Sequence, residues 1–309
     1  MPQVSAPVPT PPGVPTPHPL PAGGPREAAG GEQLRPASVR AIDWIDSIPF
    51  LARHAGAVAG LFIVGFSLKG VALALATYVA MMMAVTIGYH RYFSHRSFKT
   101  SRPFQFLLAF AAQASAQKGV LWWAANHRHH HKYSDQEEDL HSPVQRGFWW
   151  AHVGWILSPA YTETKFEMVK DLWKYPELRW LNRYHLVPVG LLAATMWALG
   201  GLPGLYWGWV VMTVLLWHGS FTVNSLAHVW GRRRYETTDT SRNNPWLALL
   251  TMGEGWHNNH HHYQSSARQG FFWWEVDASY YVLKLWQALG LVWDVRTPPR
   301  SVVDARSDA

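Results

Sequence analysis

The sequence predicts an all-α integral membrane protein with four transmembrane helices in two hairpins, carrying a cytoplasmic helical cap that holds a metal site. Three observations lead there. Four apolar stretches approach the ~20 residues that a helix needs to cross a bilayer, and short loops join them in pairs. The chain uses 19 tryptophans, which suits interfacial aromatic belts. Histidines crowd the ends of the apolar stretches rather than their middles.

Taken in order, residues 1–38 hold eleven of the 21 prolines and too little apolar surface to offset ordering entropy, so they are expected to form a disordered tail. The tail has neither the basic start nor the continuous apolar core of a signal peptide. Residues 39–298 form the membrane domain, and 299–309 a second disordered tail. The first hairpin pairs spans at about 49–68 and 71–89 around Ser67-Leu68-Lys69-Gly70. The second pairs 184–200 with 204–222 around Gly200-Gly201-Leu202-Pro203-Gly204. Arg53 and His54 fall inside the first span, near the interface, where a charged head can snorkel to water. The cap comprises 90–183 and 223–298. Within it, 104–121 carries Gln105, Gln113, Gln117 and Lys118, and 271–295 carries Glu275, Asp277 and Lys284; both are expected to be amphipathic helices at the bilayer surface.

Charge sets the orientation. The net charge is +7, and the 90–185 connection holds thirteen lysines and arginines, from Arg91 to Arg183, whereas the outer loops offer only Lys69. By the positive-inside rule both termini and every histidine cluster face the cytoplasm. No nucleic-acid-binding motif accompanies the positive charge, so nucleic acid is not expected as a partner. The chain has no cysteine, which rules out disulfides, thiolate sites and iron–sulfur clusters built from its own residues.

Histidine is therefore the available ligand for redox metals. On a helix, residues three and four apart share a face, so His127, His130 and His131 converge, as do His257, His260 and His261. His90 and His95 are five apart, roughly 140° around an α-helix, and meet only if the helix ends or bends between them. With His228 these make nine imidazoles, enough for two metals with open positions, each triplet giving two ligands to one ion and one to the other. His129 and His262 point off the shared faces. His141, after Glu137, Glu138 and Asp139, is expected to support a ligand or a loop rather than bind metal. His18, His54, His152, His185 and His218 are expected to be structural or surface residues.

His90-x4-His95, His127-x2-His130-His131, Asn224-x3-His228 and Glu254-Gly255-Trp256-His257-x2-His260-His261 resemble the boxes of the membrane-bound fatty acyl desaturases, most nearly the acyl-CoA Δ9 (stearoyl-CoA type) group. The similarity runs over about 42–298 and includes Asp139-x-His141 and Arg146-Gly147-Phe148-x3-His152-Val153-Gly154-Trp155. It implies two irons held by the nine histidines, Asn224 acting through a water, O2 as co-substrate, and a cis double bond placed in a saturated acyl chain. Two further electrons must come from outside, and a ferredoxin or a b-type cytochrome with its reductase is the expected donor. The resemblance also implies that Gln117 and Trp123 hold the bent part of the chain, that Ser220 stands where animal members carry Thr, and that Tyr78 and Met82 lie near the tunnel's closed end. Met82 is bulkier than the small residue of stearoyl-preferring enzymes, so a C16 preference is expected. Where the animal enzymes contact coenzyme A with an Arg-Asp pair, this chain has Ala125 and Asn126, which leaves acyl-CoA, acyl-phospholipid and acyl-carrier protein open. The tail and the absence of retention signals point to a bacterial inner membrane. A membrane hydroxylase is the competing enzyme reading. A metal transporter is the distant one, since its ligands belong at mid-membrane.

Overall fold

The computed structural model describes residues 41–305. The expected tail over 1–38 and residues 306–309 lie outside the described residues. The fold is helical, with one two-residue antiparallel ladder, β1 (Lys99–Thr100) on β2 (Val292–Trp293), which ties the start of the cap to its end.

The first hairpin is α1 (Ile48–Val64) and α2 (Leu68–Met83), and α2 runs on without a break as a π-helical segment, Ala84–Ser94. The turn comes earlier than the sequence suggested. Gly65 takes φ 82°, and the Ser67 hydroxyl caps α2 by accepting from the Gly70 N–H at 3.2 Å. Leu68, Lys69 and Gly70 thus form the first turn of α2 instead of a loop.

α3 (Arg102–Gln113), α4 (Val120–Tyr133), α5 (Phe148–His152) and α6 (Pro176–Arg183) build the middle of the cap. The stretch expected as one surface helix over 104–121 is instead divided between α3 and α4. Its glutamines point inward. Gln105 accepts from the Tyr92 hydroxyl at 2.9 Å, and Gln113 accepts from the Val120 N–H while donating to the Leu181 carbonyl. These buried amides satisfy groups that water cannot reach, so they mark an interior face where polarity alone suggested an exterior one. The same correction applies to 271–295. Glu275 and Asp277 are buried in ion pairs, and only α12 (Ala278–Ala288) is α-helical there.

The second apolar run, α7 (Leu186–Leu205), departs from helical angles at Gly200 and Gly201. A Cβ on Gly204 would lie 2.3 Å from the Met196 carbonyl oxygen, whereas eight residues of unbroken helix span ~12 Å. The chain therefore doubles back at the two glycines, continues through a π-helical turn, Tyr206–Val211, and enters α8 (Met212–Asn224) and the short α9 (Leu226–Val229). Leu68–Ser94 and Leu186–Val229 are each long and apolar enough to cross a membrane.

α10 (Pro245–Leu250) and α11 (His257–His262) follow. The core lies beneath the π-helical segment, where Ile87, Tyr89, Phe93, Leu121, Leu172 and Leu181 pack without exposure. Residues 300–304, expected within a disordered tail, form α13 (Arg300–Asp304), held by the Tyr235 hydroxyl donating to the Val303 carbonyl at 2.9 Å.

Candidate metal centre

The π-helical segment resolves the five-residue spacing of its histidines. His95 donates its N–H to the His90 carbonyl at 3.2 Å, an i→i+5 bond that widens the turn. The winding ends at Ser94, with His95 as its C-cap, and it brings the two Nε2 atoms 3.1 Å apart.

Five imidazoles converge here: His90, His95, His127, His131 and His260. Their Nε2 atoms form a closed ring of neighbours: His90–His260 3.0 Å, His260–His131 2.9 Å, His131–His127 3.0 Å, His127–His95 2.9 Å and His95–His90 3.1 Å. Nitrogens bound at ~2.1 Å lie about 3.0 Å apart when they subtend a right angle and about 3.4 Å apart on a tetrahedron. The observed spacings match the right angle. The donor set fits one shared metal ion.

A second group, His130, His228, His257 and His261, is fully buried. The α4 triplet is divided, with His127 and His131 in the first group and His130 in the second. The α11 triplet is divided in reverse, with His257 and His261 in the second group and His260 in the first. Carboxylates hold the outer nitrogens. Asp139 takes His130 Nδ1 at 3.0 Å, Asp135 takes His228 Nδ1 at 3.1 Å, and Asp239 takes His261 Nδ1 at 2.5 Å. His261 Nε2 is buried with no hydrogen-bond partner, the state of a nitrogen arranged to meet a cation.

Electrostatics supports the same assignment. Burial, then the neighbouring imidazoles, push His127, His131, His257 and His260 well below the usual histidine range, and burial lowers His261 to about 4 despite Asp239. These rings are therefore neutral, as metal ligands must be. For His130, burial is outweighed by Asp139, which raises its basicity. Burial disfavours charge on Asp135, Asp139 and Asp239, yet the paired imidazoles hold all three carboxyls far down and ionised.

A separate network orients His90. Its Nδ1 meets Glu254 and lies 3.2 Å from Gln269 Nε2, and Arg91 binds Glu254 and Asp277 at 3.1 and 2.9 Å. Arg91, one of the thirteen basic residues of the 90–185 connection, is 1% exposed, its charge met by two carboxylates.

A largely apolar cavity of about 320 Å³ leads to this cluster. His127 belongs to both its wall and the five-histidine group. Gln117, Trp123, Ser220 and Asn224 line it, and Gln117 Oε1 accepts from Trp123 Nε1 at 3.2 Å and from the Ser220 hydroxyl at 3.3 Å. Asn126 lines it as well, while Ala125 is core. Tyr78 and Met82 are not in the wall. They pack with Met212 and Leu216, behind Gly219, the neighbour of Ser220. Two polar depressions reach other imidazoles of the two groups and share no lining residue with the cavity: one holds His95, Arg128, His131 and Lys132, the other His131, Asp239 and His261.

Residues 68–288 match the fatty acid desaturase family model. The chain belongs to the fatty acid desaturase family. It is 40% identical over 237 residues to an acyl-CoA C20 Δ5-desaturase of Anemone leveillei, covering 75% of this chain and 76% of the relative. It is 36% identical over 222 residues to Δ9 acyl-lipid desaturase 2 of Arabidopsis thaliana, covering 70% and 71%. With the sn-1 stearoyl-lipid 9-desaturase of Anabaena variabilis it shares 36% over 258 residues, covering 82% and 94%. This desaturase is accordingly an oxidoreductase of lipid metabolism with an acyl substrate, in a membrane-associated family, and it carries two apolar runs long enough to cross a membrane.

Sequence reasoning missed Asp135, Asp239 and Gln269, which hold histidines, gave Glu254 no role within its box, and missed the pairing of Asp277 with Arg91. Glu254 opens one box and Asp135 lies four residues after another, so proximity was an available signal. Asp239 and Gln269 gave none. His141, expected to support a ligand or a loop, lies with its ring tilted 4.2 Å from that of His130, beside Asp139, and lines the cavity. His129 and His262 lie outside both groups, His129 facing the Glu138 carbonyl and His262 stacked on Tyr235.

Proposed function

We propose that the protein inserts a cis double bond at carbon nine of a saturated acyl chain, consuming O2 and two electrons from an external one-electron carrier, a ferredoxin or a b-type cytochrome with its reductase. The observation that carries this reading is the shared residue: His127 is at once cavity wall and member of the five-histidine group. A methylene inside the cavity therefore lies beside whatever the imidazoles hold. The nine histidines would hold two irons, with Asn224 acting through a water, and iron supplies the oxidising power, drawn from O2, that no side chain possesses. The protein's own groups do the rest. Gln117, Trp123 and Ser220 fix the chain's bend, the apolar wall excludes water, and the carboxylates keep the imidazoles oriented.

The proposed topology has α1, α2, α7 up to its reversal, and the return through α8 crossing the bilayer, with the cap and both termini in the cytoplasm of a bacterial cell. Exposed Phe62, Ile63, Leu75, Leu191 and Leu199 give these helices lipid-facing surfaces.

The proposed acyl carrier is coenzyme A. A glycerolipid ester is the second reading, favoured by the cavity lining, where the Asp46 carboxylate opposes the charge of Lys118. The test supplies purified, iron-loaded protein in bilayers with reductant, O2 and saturated acyl-CoA, phospholipid or acyl-carrier protein. A Δ9 monoene is expected; a hydroxy acid as sole product rejects desaturation. A zinc-loaded preparation is expected to be inactive.

A further inference from the structure

The six residues of α10 are patterned inside out. Trp246, Leu249 and Leu250 share one helical face and are 70%, 67% and 41% exposed, whereas Leu247 and Ala248 are buried. A helix that borders water turns polar residues outward. No charged residue occurs from Asn243 to Gly253. Behind α10, the backbone of Gly255 lies against Leu247 and Ala248, and its neighbour Trp256 donates its indole N–H to the Val276 carbonyl at 2.9 Å. That bond ties in a second segment, which exposes Trp273, Trp274 and Val276.

The ends of α10 are satisfied without water. The Asn244 side chain accepts from the Trp246 and Leu247 N–H groups at 2.9 and 3.2 Å, and Pro245 has no N–H to satisfy. At the other end, the Leu247 carbonyl accepts from the Thr251 N–H and the Ala248 carbonyl from the Gly253 N–H, both at 2.8 Å. The Leu250 carbonyl accepts from the Tyr78 hydroxyl at 2.9 Å, and the Met252 carbonyl from the Ser279 hydroxyl at 2.8 Å. Hydrocarbon surroundings require this combination of apolar side chains outside and backbone groups paired within the protein.

The bonds to α2 and its π-helical extension also fix the level at which α10 sits. Asp277 meets Arg91 at 2.9 Å, the Ser279 hydroxyl lies 2.7 Å from that of Thr86, and Leu250 is bonded to Tyr78. The stretch from Thr86 back to Tyr78 is about 12 Å of helix, leading toward the outer end of the span. α2 carries exposed residues only from Leu68 to Ala80. That is about 20 Å of helix, against the ~30 Å of a bilayer's hydrocarbon core. Beyond Ala80 the helix is covered, so the missing ~10 Å of apolar surface falls to the elements that cover it. At Tyr78 that element is α10.

We propose that α10, with Trp273, Trp274 and Val276, is a wedge that inserts into the acyl-chain region of the cytoplasmic leaflet. This rests on the reading of α2 as a membrane span with its His90 end in the cytoplasm. Arg232, exposed and paired through its backbone with Asn243, stands at the wedge's rim, in place to meet a lipid phosphate. Residues 251–256 lead directly from the wedge to His257, so the bilayer also steadies the segment by which Glu254 reaches His90.

The test places single nitroxide labels in the full chain, which has no cysteine of its own, reconstituted in phosphatidylethanolamine–phosphatidylglycerol vesicles. Leu249→Cys and Trp273→Cys report on the wedge, Leu75→Cys on the exposed face of α2, and Lys132→Cys on the cap's polar depression. Collision of each label with oxygen, which concentrates in lipid, is compared with collision with a water-soluble nickel chelate. At Leu249 and Trp273 the oxygen-to-nickel ratio is expected near that of Leu75 and far above that of Lys132. A ratio near that of Lys132 at either site overturns the wedge. So does a Leu249 label shielded from both reagents, the sign of a protein partner or a second copy. If Leu249→Cys fails to fold, Trp246→Cys decides by the same criterion. A Leu75 label open to nickel would instead count against the membrane span itself.

Discussion

At the scale of single residues, the carboxylates behind the imidazoles decide how firmly metal is held. Asp239 fixes the His261 ring through Nδ1 and leaves Nε2 facing the other three histidines. Asp239→Asn keeps the shape and removes the charge that orients and strengthens the ligand. Metal affinity is expected to drop ~10–100-fold, measured by competition with a chelator of known affinity; unchanged affinity would show that His261 needs no partner. The histidines themselves were legible from sequence because a helix repeats every few residues, and His127, His130 and His131 carry that repeat in their spacing. Asp239 was not, since its partner is 22 positions away and only the turn leading through Ser241 and Asn243 brings them together.

Among elements, the packing of α2 against α8 is proposed to stop an acyl chain that extends past the cavity wall at Ser220. Met82 is 1% exposed and lies 3.1 Å from where a Cβ on Gly219 would sit, one residue before the cavity-lining Ser220. Met82→Ala is expected to remove this stop and shift product from C16 toward C18 chains, scored as the ratio of the two monoenes from an equimolar substrate mixture. The same truncation should destabilise the fold by about 2–5 kcal/mol, so stability needs measuring alongside. An unchanged ratio in folded protein would place the cavity's end elsewhere. The apolar stretches were legible because burial in lipid demands long uninterrupted runs. The π-helical winding of Ala84–Ser94 was not, since nothing in local composition separates i→i+5 from i→i+4 bonding. Nor was the inward face of α3, where glutamine hides its polarity in bonds to distant backbone.

For the whole molecule, orientation can be read chemically because the native chain has no cysteine. Lys69→Cys and Lys132→Cys, placed singly, are expected to label from opposite sides of sealed inverted vesicles with an impermeant maleimide, Lys132 from the cytoplasmic side. Labelling from one side only would contradict the paired-hairpin topology. The cavity and the two polar depressions share no lining residue although both reach the imidazole cluster. A tight inhibitor lodged in the cavity would therefore leave the edges of His95 and His131 open to dithionite, and an iron-loaded preparation is expected to bleach and recover as readily with the inhibitor as without it.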